Sequence, residues 1–116
     1  ELIIRGGENI APREIDDVLY KHEAILEAAA VGVDDENYGQ EVVACVGRRD
    51  GHDCSEQDLK LLCESAIGKV KAPKHIYFMD DLPKGPSGKI LRLKLPEMIS
   101  SMSSTPSQSG KKEPSP

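Results

Sequence analysis

The chain has 116 residues, a net charge of -5 and 38% apolar side chains, with no Trp and one Phe. Such a length holds one small domain on a modest aliphatic core, whose thin stability margin suits a domain that leans on a larger partner. An acidic chain without an apolar run of bilayer length excludes a nucleic-acid binder that works by phosphate neutralisation, and a helical membrane span.

Residues 2–5 and 8–10 are short β-rich runs on either side of Gly6-Gly7, the pattern of a small hairpin. Pro12 presets φ for a helix start. From there to His22, the residues Ile15, Val18, Leu19 and His22 fall at helical spacing, with Arg13, Glu14, Asp16, Asp17 and Lys21 off the stripe. Lys21 and His22 lie in the predicted last turn, where positive charge suits the helix dipole. Residues 25–33 are ambiguous by periodicity: the Ala run fits a helix, while the β-branched end and the acidic turn at 34–37 favour a strand. Residues 41–48 are apolar on both faces and predict a buried strand.

After a turn at 49–53, residues 55–67 give the clearest helix. Ser55 can cap it, Glu56 and Asp58 suit its first turn, Leu59, Leu62, Cys63 and Ala66 form one stripe, and Gly68 stops it. Residues 74–79 predict a third strand. Pro83, Gly85, Pro86 and Gly88 mark a long loop, and residues 90–99 a final helix interrupted by Pro96 near its end. Residues 100–116 are Ser/Pro-rich and nearly free of apolar side chains, so they are expected to form a disordered tail. The fold class expected for 1–99 is α+β: a small three-stranded sheet with packed helices, preceded by a short β-hairpin.

The segment PKGPSGKILR at 83–92 carries the first chemical signal. Its glycines and prolines fix a loop that presents Lys89, and Gly88 leaves room for a ligand beside it. A lysine is a point charge on a long stem and suits a phosphate or carboxylate. A P-loop is excluded, because Pro83 stands where its first Gly is needed and Ile90 where its Ser or Thr must follow the Lys. Taken alone, the segment also fits a solvated turn.

The other end of the chain adds a second signal. IIRGGENIAPREID at 3–16 resembles the motif I-x-x-G-G-x-N-I-x-P-x-E-I-E that opens the C-terminal domain of the adenylate-forming superfamily, which includes acyl-CoA synthetases, firefly luciferases and peptide-synthetase adenylation domains. Residues 83–92 are similar to that family's closing P-x-x-x-x-G-K-I/V-x-R. NYGQE at 37–41 and KAPK at 71–74 resemble two segments between them. Four segments in order across residues 1 to about 95 are far more specific than any one alone.

The resemblance implies a lid on a larger N-terminal AMP-binding domain of the same protein. That domain would hold most of the site for ATP, with Mg²⁺, and for a small carboxylic acid. The acid would first attack the α-phosphate of ATP, giving acyl-AMP and pyrophosphate; the thiol of CoA would then displace AMP. Lys89 matches the lysine that enters the site in the first step, where its charge stabilises crowded anions, and whose acetylation would delete that charge.

Gly6 and Gly7 match the face that lines the thiol tunnel, although a plain turn asks for the same residues. Glu8 and Asn9 are placed for polar contacts there. Tyr38 matches an aromatic that stacks on the CoA adenine in some members; a half-buried tyrosine at a strand end fits equally. Lys71 and Lys74 match positions suited to CoA phosphates, or are solvated surface charge. Two other readings stay open: the lid of a carrier-protein-loading adenylation domain, and a non-catalytic module that binds CoA or a partner.

His22, His52 and His75 show no ligand spacing with the cysteines, so no metal site is expected. Cys45 and Cys63 read as core residues. Three cysteines without a CxxC pair, no signal-peptide pattern and no Ser-Lys-Leu terminus give a cytoplasmic expectation. The chain opens with Glu1 inside structured-looking sequence, which reads as a fragment not expected to catalyse the whole reaction alone.

Overall fold

The computed structural model describes residues 2–103. Strands β1 (Ile3–Arg5) and β2 (Glu8–Ile10) pair antiparallel, Ile3 opposite Ile10 and Arg5 opposite Glu8. Gly6 and Gly7 turn the chain at φ 56 and 88, the left-handed pair that a two-residue type I′ hairpin turn requires.

Helix α1 (Pro12–Tyr20) begins on its proline and buries Ile15, Val18 and Leu19. It stops two residues earlier than the spacing predicts, so Lys21 and His22 lie beyond its last turn. The His22 ring instead holds the next turn, where Nδ1 accepts from the Ala24 N–H at 3.1 Å. Asp16, off the stripe in sequence, is buried at 7% exposure.

Strands β3 (Ile25–Asp35) and β4 (Gly39–Arg48) form a long antiparallel pair, and β5 (His75–Phe78) joins β4 in parallel, giving the order β3-β4-β5. The ambiguous Ala run is therefore strand. Ala28 and Ala30 face one core while Ala29 and Val31 face the other, a period of two that a helix cannot produce.

Helix α2 (Glu56–Ile67) connects β4 to β5 and starts with a capping box. The Ser55 hydroxyl accepts from the Asp58 N–H at 3.0 Å, and the Asp58 carboxylate accepts from the Ser55 N–H at 3.2 Å. Leu59 and Cys63 are its buried positions; Ala66, assigned to the stripe by spacing, is exposed.

The sheet is buried on both faces. Helices α1 and α2 cover Val42, Ala44, Val46 and Ile76 with Ile15, Leu19, Leu59 and Cys63. The opposite face packs Val43 and Cys45 against Leu82, Leu95 and Ile99. This is why β4 reads as a continuous apolar run.

The final helix differs from expectation at both ends. Ile90 is taken up by a β-bridge to Lys84, a 3₁₀ turn spans Arg92–Lys94, and α3 runs Leu95–Ser103. Pro96 then lies in the first turn, where its missing N–H breaks no helical bond. Buried Leu95 and Ile99 dock α3, which carries it into the segment expected to be a disordered tail. The rest of that tail, 104–116, lies outside the described residues.

Candidate functional site

The segment expected as a long loop around Pro83, Gly85, Pro86 and Gly88 is a tight hairpin. The Leu91 N–H donates to the Pro83 carbonyl at 2.8 Å, and the Gly85 N–H to the Lys89 carbonyl at 2.9 Å. At the tip the Gly88 N–H donates to the Gly85 carbonyl at 3.0 Å, closing a turn over Pro86 and Ser87. Gly88 sits at φ 87, the left-handed position that ends a three-residue hairpin loop. Lys89 follows at once, with its backbone held and its side chain exposed.

Two lysines of this hairpin have opposite surroundings. Lys84 Nζ lies 2.7 Å from Asp81 and 2.9 Å from Glu27 and donates to the Leu82 carbonyl at 3.0 Å. Hydrogen bonds to Asp81, then to Glu27, hold its pKa above the ordinary lysine value. Lys89 has no carboxylate partner among the described residues. It lines an open concavity of about 380 Å³ with Arg13, Asp17, Tyr20, Ala28 and Ile90.

One wall of that concavity is the Asp16–Arg92 pair. Arg92 Nη2 donates to Asp16 Oδ2 at 2.8 Å and Nη1 to Oδ1 at 3.3 Å. The same Nη1 donates to the Ala30 carbonyl at 2.7 Å, while the Ala30 N–H donates back to Asp16 Oδ1 at 2.7 Å. Ala30 lies on edge strand β3, so the pair satisfies the outward backbone groups of that residue.

A second group forms where the β1–β2 hairpin meets the β3–β4 turn. Arg5 Nε donates to Glu41 Oε2 at 2.8 Å, and its guanidinium lies 4.0 Å from the centre of the Tyr38 ring. The Glu41 hydrogen bond raises the Arg5 pKa further. The Gly6 N–H donates to the Tyr38 carbonyl and the Ile4 N–H to Gln40 Oε1, both at 2.8 Å. Gly6, Gly7, Glu8, Asn9 and Tyr38 are all exposed here. None of them lines the Lys89 concavity, so the two groups are separate.

Lys71 and Lys74 belong to neither. Lys71 Nζ pairs with Glu14 of α1 at 3.1 Å. Lys74 spends its backbone N–H on the Val42 carbonyl at 2.8 Å and leaves its side chain exposed.

The cysteines are buried core residues. Desolvation pushes the Cys45 thiol up to about 12 and Cys63 to about 11, which removes thiolate character at neutral pH. No group of His, Cys, Asp or Glu suited to a metal occurs among the described residues, and no helix there is long and apolar enough to cross a membrane.

Sequence reasoning missed Arg5, Glu41 and the Asp16–Arg92 pair. The signal for Glu41 was a carboxylate at the head of an otherwise apolar strand, which needs a buried partner. Asp16 gave no such signal, because its partners lie on other elements.

Residues 14–89 match the family described as the AMP-binding enzyme C-terminal domain. A sulfoacetate–CoA ligase from Cupriavidus necator is 56% identical over 95 residues, covering 82% of this chain and 19% of the ligase. The crystal structure of a Brucella canis acyl-CoA synthetase superposes with a TM-score of 0.81 at 32% identity, covering 89% of this chain and 20% of that one. An o-succinylbenzoate CoA synthetase from Bacillus subtilis, solved with its acyl-adenylate intermediate, gives a TM-score of 0.76 at 36% identity over 81% of this chain and 19% of that one. The chain thus spans about a fifth of the length of these relatives.

Proposed function

This chain belongs to the AMP-binding enzyme C-terminal domain family, and from that premise we propose that it is the lid of an ATP-dependent, AMP-forming acyl-CoA ligase. Relatives of the chain are acid–thiol CoA ligases, a family that uses ATP and CoA. In this reading a larger N-terminal domain of the same protein binds ATP with Mg²⁺ and selects a small carboxylic acid, and the lid supplies one set of groups to each half-reaction. The reaction runs in the reducing cytoplasm, a reading that the three free, buried cysteines support.

In the first half-reaction the acid's carboxylate oxygen attacks the α-phosphate of ATP. An acyl-phosphate bond forms, the bond to the leaving pyrophosphate breaks, and acyl-AMP results. Lys89 is the catalytic residue of this step: its ammonium sits between the incoming carboxylate and the α-phosphate, where two anions must approach. The observation that carries this role is the exposed Lys89 side chain, without a carboxylate partner among the described residues, on a backbone fixed by the Gly88 turn. A cation already bound to a carboxylate, like Lys84, would have to lose that partner first. The acyl-adenylate held by the Bacillus subtilis relative fits the intermediate proposed here.

In the second half-reaction the CoA thiol attacks the acyl carbonyl and AMP leaves. Gly6 and Gly7 line the path of the pantetheine arm, Glu8 and Asn9 offer polar contacts beside it, and Tyr38 presents the ring face away from Arg5 to the adenine. Lys74 meets CoA phosphates directly, and Lys71 does so by exchanging Glu14 for a phosphate.

The test joins this lid to a ligase N-terminal domain and measures acid-dependent ATP–pyrophosphate exchange. Lys89→Ala is expected to lower exchange by about 10²- to 10³-fold, the usual effect of removing one preorganised donor from developing charge. Undiminished exchange would remove Lys89 from the mechanism.

A further inference from the structure

We infer that Asp16 and Arg92 form a positioning clamp for Lys89, so that the adenylation step depends on two residues that never touch the reactants. The inference rests on the role proposed for Lys89.

A hairpin fixes the lysine relative to its own two strands but not relative to the domain. Two side-chain anchors do that here. Upstream, Lys84 is tied to Glu27 and Asp81, and Glu27 also accepts the Leu82 N–H at 3.1 Å. Downstream, Arg92 joins three elements at once, through Asp16 on α1, the Ala30 carbonyl on β3 and its own place at the start of the 3₁₀ turn that follows the Lys89 hairpin. Between Lys89 and Arg92, Ile90 is bridged to Lys84 and Leu91 is bonded to Pro83. A shift at Arg92 therefore has no slack to absorb it before Lys89.

The pair suits positioning in two ways. Asp16 is 7% exposed, so its carboxylate needs every hydrogen bond it has, and the arrangement has one low-energy geometry. Arg92 is a planar fork that meets both carboxylate oxygens, which sets direction as well as distance; a lysine at 92 would supply the charge without the direction.

The experiment uses the rejoined full-length ligase and follows the two half-reactions separately. Arg92→Met and Asp16→Asn are expected to lower the kcat of ATP–pyrophosphate exchange by about 10- to 10²-fold, the usual effect of misplacing a group by about an ångström. KM for ATP and for the acid should stay near wild type, and so should conversion of supplied acyl-adenylate to thioester. Arg92→Lys, the milder variant if Arg92→Met fails to fold, should fall between.

In a Lys89→Ala background none of these changes should cost anything more, because a clamp has nothing left to position. Equal losses in both half-reactions, or a full further loss on top of Lys89→Ala, would make the pair a fold-stabilising contact only and overturn the inference. Wild-type exchange in the Arg92 and Asp16 variants beside a crippled Lys89→Ala would overturn it alone. Wild-type exchange in Lys89→Ala would overturn the underlying role of the lysine as well.

Discussion

Gly6 and Gly7 show how little of a residue's role lies in its identity. Both hold positive φ, so any side chain there meets left-handed strain of about 1–2 kcal/mol. A Cβ on Gly7 would meet nothing within 4 Å, whereas one on Gly6 would lie 3.2 Å from Tyr38 Cδ1. Gly6→Ala should therefore destabilise the chain more than Gly7→Ala, and disturb Tyr38 as well; urea denaturation of both variants, followed with a Tyr38 fluorescence control, checks the order. The cysteines give a pH-dependent counterpart. Their thiols titrate near the ordinary 9.0 when unfolded but near 12 and 11 when folded at 45 and 63. Below pH 9 both states keep the proton, and above it the unfolded chain releases protons that the folded chain retains. Stability should then fall as pH rises from about 9 toward 11, and the slope should flatten in Cys45→Ala. At this scale the sequence made Lys89, Gly6 and Gly7 legible, because a turn glycine and a presented lysine are written locally. Asp16 and Glu41 were not, because a buried charge is defined by partners 76 and 36 positions away.

Most elements were readable, including β4 and β5, which pair across the chain; the ends of α1 and α3 and the Lys89 hairpin were not. The Ser55 cap of α2 and the Gly-Gly hairpin are spelled within a few residues and form as expected. The apolar period beginning at Ile90 misled, since its bridge to Lys84, closed by the Leu91–Pro83 and Gly85–Lys89 main-chain bonds, claims that residue before a helix can. The β1–β2 hairpin is likewise more than its turn: Arg5 clamps it to Glu41 and Tyr38 across the sheet. Arg5→Lys should keep a charge near Glu41 but lose the flat stack on Tyr38. An exposed stack of this kind is worth about 0.5–1 kcal/mol. In the rejoined ligase the variant should raise KM for CoA by about 2- to 5-fold while sparing ATP–pyrophosphate exchange; steady-state kinetics with CoA as the varied substrate decides it.

As a whole molecule the domain is a sheet, buried on both faces, that displays two separate chemical groups at its surface. The proposed lid role calls for such packing: with one body serving two reactions, each group must arrive in a fixed geometry. The α+β class, the strand order along the chain and the C-terminal domain family could be read beforehand, since they rest on periodicity and on four ordered segments. The separation of the two groups could not, because it depends on how α1, β3 and the Lys89 hairpin pack. In the proposed function, that separation makes the half-reactions independently breakable. The most direct test is a single turnover of the rejoined ligase carrying Lys89→Ala, with acyl-adenylate and acyl-CoA followed in the same reaction. Formation of the adenylate should slow by about 10²- to 10³-fold while its conversion to thioester keeps the wild-type rate. Equal slowing of both steps, or of neither, would contradict the assignment of this lysine to the first step alone.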